Sequence, residues 1–165
     1  MKTVDYIKMS FEMSRNWIMG LAVDMKDSPL TQPTPHGGNH PLWCVGHLAY
    51  SEANLVQTVA RGKPNPLAEW KKLFDGGTTA ETDPNAYPSF DELLQKFDEV
   101  RAATMAYLDT LSDEDLEAES HAEGEMKEWF GTVAACLAAV PVHVGFHGGQ
   151  IADARRAAGR PVLMG

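Results

Sequence analysis

Basic residues are scarce in this chain of 165 residues: 14 Lys and Arg stand against 23 Asp and Glu, a formal charge of −9. Phosphate backbones are held by clustered Lys and Arg, so no nucleic-acid partner is expected. The one local basic cluster, Arg155, Arg156 and Arg160, reads as favourable charge at a helix C-terminus. Cysteine is nearly absent as well. Cys44 and Cys136 sit in apolar helical surroundings outside any spaced framework, which excludes a disulfide scaffold and points to a reducing, cytoplasmic setting. The residues from Met1 to Met9 mix charges among apolar side chains and lack the continuous hydrophobic region of a secretory signal. Period-two alternation, the mark of a half-buried strand, is missing too. The longest uncharged run, Trp129 to Ala152 with neutral histidines, contains His143, His147, Gln150, Pro141 and four glycines. A buried core helix is therefore expected there, not a membrane span.

What is present is a set of helical patterns. The composition, 44% hydrophobic and 22% charged, is that of an ordinary globular chain, and the length suits one domain over residues 1–165. Residues 3–25 place Val4, Ile7, Phe11, Trp17, Ile18, Leu21 and Met25 mostly at helical spacing, with Lys8, Glu12, Arg15 and Asp24 between them. The Pro- and Gly-rich segment from Asp27 to Pro41 then excludes regular structure and makes a long loop. Asn39 is the expected cap of a second helix, with Pro41 in its first turn and a stop at Gly62. Residues 63–88 read as a Pro/Gly-rich surface excursion with one short helical piece near Leu67 to Phe74. A third helix starts at the capping box Ser89-Phe-Asp-Glu92 and runs toward Leu111. The fourth begins between Trp129 and Thr132 and ends near Ala158, before Gly159, with Pro141 expected to kink it. Four apolar-striped helices give an all-α class, and a four-helix bundle is the simplest architecture that buries them. Gly145, Gly148 and Gly149 each weaken the fourth helix by about 1 kcal/mol relative to Ala, which calls for close approach of another helix or of a second subunit.

The chemistry concentrates in Pro141-Val-His143-Val-Gly-Phe-His147-Gly-Gly-Gln150. On a helix His143 and His147 project from one face about 6 Å apart at Cβ, a separation that one cation bridges. Two imidazoles are too few for a metal site, so a third ligand must come from elsewhere; His47, in the second helix, is the best candidate. The bare spacing is equally that of two histidines that merely cap or pack. Cys44, three residues before His47, is a ligand, a neighbour of a ligand, or plain packing. Gln150 could orient a ligand or simply face solvent, and Glu52 and Asn54 are lesser candidates for support. His36 and His40 read as polar groups of the loop, and His121 as exposed.

The segment Gly37-Gly-Asn-His-Pro-Leu-Trp43-Cys-Val-Gly46-His47-Leu, the later Tyr87-Pro-Ser-Phe, the run His143-x-x-x-His147-x-Gly149-Gln150-Ile and the closing Arg155-Arg156-x-x-Gly159 together resemble the DinB-like superfamily of metalloproteins. The resemblance spans nearly the whole chain, and Gly46-His47 with the late histidine pair are its most specific parts. It implies a four-helix bundle in which His47, His143 and His147 hold one divalent metal ion, commonly in a homodimer. It also implies a small-molecule substrate, because relatives include transferases and isomerases that use low-molecular-weight thiols. Pro141 departs from the pattern, standing where an ordinary helix former is expected. Three neutral histidines leave an ion at least one open position, the arrangement of a catalytic site, where a thiol or a water is readily deprotonated. Ligand type does not separate zinc, nickel and iron. Three functions stay open at this level: a thiol transferase, a hydrolase using metal-bound water, and a metal-binding stress-response bundle without turnover.

Overall fold

A computed structural model describes residues 1–34 and 37–163. Six α-helices follow in order: α1 Thr3–Val23, α2 Pro41–Ala53, α3 Lys71–Phe74, α4 Phe90–Leu108, α5 Met126–Phe130 and α6 Val133–Ala157. The described residues form no strand, only an isolated bridge between Glu119 and Thr132. The fold is all-α. The four long helices touch in a closed ring, α1 against α6, α6 against α2, α2 against α4 and α4 against α1, which fits a four-helix bundle. None of the described helices is long and apolar enough to cross a membrane.

The centre of the structure is α2, where every residue except Ser51 is buried. Packed by α3, α4 and α6, it cannot keep a polar face, which explains its run of Leu, Trp, Cys, Val and Ala. Its start differs from expectation. His40, not Asn39, is the cap: its Nδ1 accepts the Trp43 N–H at 3.1 Å, its Nε2 lies 2.8 Å from the Glu81 carbonyl, and the ring is buried. An imidazole accepting a backbone bond does the work of the usual Asn or Ser, and Pro41 at the first helical position needs no donor. Beyond Ala53 the chain widens into a π-helical stretch, Asn54–Ala60, that no local pattern announces. Gly62, at φ +64°, closes it as expected, and Gly159, at φ +72°, follows α6.

The excursion over residues 63–88 does not lie wholly on the surface. Leu67, Trp70 and Phe74 are buried in the main core, so this segment closes one side of α2. The third pattern begins at Ser89, whose Oγ accepts the Glu92 N–H at 3.3 Å, and it ends at Leu108, three residues short of Leu111. Thr132 caps α6 in the same manner, and the helix continues through Pro141 to Ala157. On α1 the apolar positions divide into two faces. Val4, Phe11, Ile18, Leu21 and Ala22 enter the core, whereas Met9, Met13 and Trp17 stay exposed. The basic cluster near the C-terminus is more than helix-end charge: Arg155, itself buried, bonds Asp24 at 2.6 Å and ties the end of α6 to the end of α1.

One ion pair lies inside the bundle. Arg101 on α4 meets Glu52 on α2 at 2.7 Å, with both side chains 2% exposed, and its remaining donors reach the Phe11 carbonyl at 2.5 Å and Ser14 Oγ at 3.3 Å. Glu52 therefore serves α4 and does not support the histidines. Removing one partner of such a pair leaves a buried charge uncompensated. Glu52→Ala should lower stability by about 3–5 kcal/mol in urea unfolding; a loss under about 1 kcal/mol, the scale of an exposed pair, would show that water reaches Arg101.

Candidate metal centre

The structure brings His47, His143 and His147 together, their ligating atoms all within 4.8 Å of one another. His47 Nε2 lies 3.1 Å from His143 Nε2, and His147 Nε2 lies 3.0 Å from the same atom. The outward nitrogens explain this convergence. His47 Nδ1 donates to the Phe74 carbonyl at 2.7 Å, and a carbonyl only accepts, so the ring's inward Nε2 carries a lone pair. His147 Nδ1 donates to Gln150 Oε1 at 2.8 Å with the same result. Cys44 S–H points at that amide oxygen from 3.4 Å, consistent with oxygen, not nitrogen, facing the ring.

Two lone-pair nitrogens thus press on a third from 3.0 and 3.1 Å. A proton on His143 Nε2 satisfies only one of these contacts at a time, whereas a single cation satisfies all three nitrogens. At a typical metal–nitrogen length of about 2.05 Å, adjacent ligands stand roughly 2.9 Å apart in an octahedron and roughly 3.3 Å apart in a tetrahedron. The two separations to His143 fall between these values and the third pair of nitrogens lies within 4.8 Å, a grouping in which a divalent ion could be held. Burial strengthens the fit by holding the rings neutral, the form that ligates. It depresses His143 to about 3, helped by His147 and His47, and His147 to about 4, helped by His47. His47 is lowered chiefly by burial, against the opposing pull of the Phe74 carbonyl and the Asp75 charge.

Each imidazole is steered by its element. Trp43, one turn before His47, stacks on that ring at 4.4 Å and 11°, while its indole N–H donates to the Leu73 carbonyl and Thr78 Oγ1. Gly46 is required by the neighbour that positions His47. A Cβ there would lie 2.2 Å from Phe74 Cε1, so only glycine lets α3 come close enough to present its last carbonyl to the ring. Gln150, one turn beyond His147, is placed by helical spacing alone. Cys44 is a neighbour of Gln150, the partner of His147, and burial pushes its thiol well above the usual range, so it stays protonated. Asn54 lies on the wall of an adjacent cavity, His40 caps α2, and His121 is exposed. His36 lies outside the described residues.

That cavity, of about 690 Å³, opens beside His143, the one histidine of the three on its wall. It is built from α2, the π-helical stretch, α5, α6 and Asp75. Among the described residues, the loop over 26–40 contributes nothing to it, and the excursion over 63–88 contributes Asp75 alone. Phe74 as a positioning group, and Asp75 on the wall, had no local signature in the sequence. Trp43 was accessible only through its four-residue spacing from His47, and a backbone acceptor such as the Phe74 carbonyl carries no residue-type signal at all.

An all-helical protein with three convergent imidazoles, two buried and one half-buried, is the class that fold and site define. A model of the DinB superfamily matches residues 10–151, and the chain belongs to that superfamily. No curated protein matches the chain.

Gln150→Leu keeps the side chain's bulk and removes the oxygen that orients His147. It should weaken binding of a divalent ion by ~10–100-fold in competition with a chromogenic chelator. Unchanged affinity would show that Gln150 does not set the ring.

Proposed function

We propose that His47, His143 and His147 hold one divalent metal ion and that the protein is a metal-dependent enzyme acting through a low-molecular-weight thiol. The observation that carries this reading is the inward convergence of three Nε2 atoms, two of them committed by outward Nδ1–H bonds. Zinc and nickel suit an all-imidazole set, and iron shares it. An ion held there supplies the Lewis acidity that favours the deprotonated form of a thiol at its free side. The protein's own part is positional. Phe74 and Trp43 lock His47, Gln150 locks His147, and His143 stands at the cavity through which a reactant arrives. In the transfer, the thiol gives up its proton and the sulfur lone pair forms a bond to an electrophilic carbon. The leaving group departs with the electron pair of the bond it breaks.

Protein purified without a nickel column should carry near-stoichiometric divalent metal, and His47→Ala should lose it. Thiol consumption against a panel of electrophiles should fall in parallel by more than roughly 100-fold, since changes outside the ligand set alone reach that size. Metal retained in His47→Ala would remove the ligand assignment. Metal lost without any wild-type thiol consumption would leave a binding bundle without turnover.

The exposed apolar residues of α1 support a homodimer. Tyr6, Met9, Met13 and Trp17 border a groove of about 840 Å³ that is closed on the α6 side by Pro141 and Gly145. Among the described residues, a Cβ built on Gly145 or Gly149 meets nothing within 4 Å, so none of them packs against these positions to offset a helix penalty of about 1 kcal/mol each. Close approach of a second copy over these small residues accounts for both the glycines and the apolar face. Trp17→Glu should convert a dimer to a monomer in sedimentation at micromolar concentration, and a wild-type monomer there would refute the interface. Cys44 and Cys136 are buried and unpaired, which supports a reducing, cytoplasmic location.

A further inference from the structure

The wall of the cavity beside His143 has an unusual charge inventory. No Lys or Arg lines it. Of its two acids, Glu52 is neutralised by Arg101, and Asp75, half-buried, has no ion-pair partner among the described residues. Lys127, beside Met126 on α5, is directed to Glu119 at 3.7 Å. The rest of the wall is largely aliphatic and aromatic, with Leu55, Trp129, Phe130, Val142 and Phe146 prominent. Trp129 is 77% exposed, Val142 73% and Phe146 66%, so these side chains present open apolar surface around the mouth of the site.

A carboxylate drawn into this space would leave water for a low-dielectric wall, meet Asp75, and find no cation along the body of the cavity. An uncharged apolar group would gain from the same surfaces, and the volume suits a drug-sized molecule. We infer that this cavity is a substrate pocket for an uncharged, apolar body joined to a single metal-seeking head group, and that it rejects thiols bearing carboxylates. The head group's attachment rests on the thiol reading proposed above; the selection of the body does not, because it follows from the wall alone.

Two measurements separate these parts. Metal-free protein is titrated with the neutral fluorescent probe N-phenyl-1-naphthylamine, and Trp129, which lines this cavity and not the groove on α1, tells the two apart. Binding should be saturable, competed by benzyl alcohol but not by glutathione, and weakened by roughly tenfold in Trp129→Ala. Binding that ignores Trp129, or competition by glutathione, overturns the inference whatever the metal does. Cobalt-loaded protein is then titrated with benzyl mercaptan and with glutathione while the visible spectrum is followed. Benzyl mercaptan should bind at least about tenfold more tightly, and Asp75→Lys should narrow the gap by strengthening glutathione. Equal or tighter glutathione binding in the wild type overturns the inference. A cobalt spectrum that neither thiol perturbs sinks the thiol reading instead, and the probe titration alone then decides the pocket.

Discussion

The outward hydrogen bonds of His47 to the Phe74 carbonyl and of His147 to Gln150 set the terms for everything around the site. A histidine offers two nitrogens of opposite character, and committing the proton of one fixes the lone pair of the other. With both outward positions occupied, the inward nitrogens are acceptors held against the half-buried His143, an arrangement that a shared cation would relieve. Burial also keeps the rings neutral and competent to bind. Fold and chemistry are therefore coupled: a looser bundle would hydrate the nitrogens and lose the reason to bind an ion tightly.

The bundle keeps that geometry through elements well away from the imidazoles. Burial of α2 on nearly all sides removes its freedom to rotate, and the Arg101–Glu52 pair, with further bonds to α1, pins α4 and α1 to the helix that carries His47. Such a pair adds little net stability over well-packed apolar residues, but it is intolerant of a wrong register. Gly46 contributes by absence of a side chain, since the contact between α2 and Phe74 is closer than any Cβ would allow. Position and proposed reactivity thus depend on different residues: the imidazoles would hold the ion, and Phe74, Trp43, Gln150 and Gly46 set where His47 and His147 stand.

Charge divides the surroundings in a corresponding way. Cations are kept off the cavity wall, so the ion proposed at the histidines would be the main source of positive potential there. On the proposed reading, the head of a reactant and its body would answer to different forces, coordination at one end and apolar burial along the other.

Much of the architecture was legible from local pattern. Helical periodicity, the Ser89 cap and the glycines at 62 and 159 located the long helices, because these signals act within a few residues. The pairing of His143 with His147 and the placing of Gln150 beside them follow from the pitch of one helix. The third imidazole, His47, was a candidate from its place in the second apolar helix and from the family pattern, and its meeting with the other two exists only in the packed bundle. Other features depended on contacts distant in the chain and left no local trace: His40 as a buried cap, Glu52 bonded to Arg101, the apolar split of α1, and the turn of α3 toward His47. Sequence by itself determined the helices and the types of donor they carry, since those depend on neighbours a turn apart. Tertiary structure alone decided which nitrogen each imidazole turns inward and what lines the space beside it, because both depend on backbone and side chains brought together by packing.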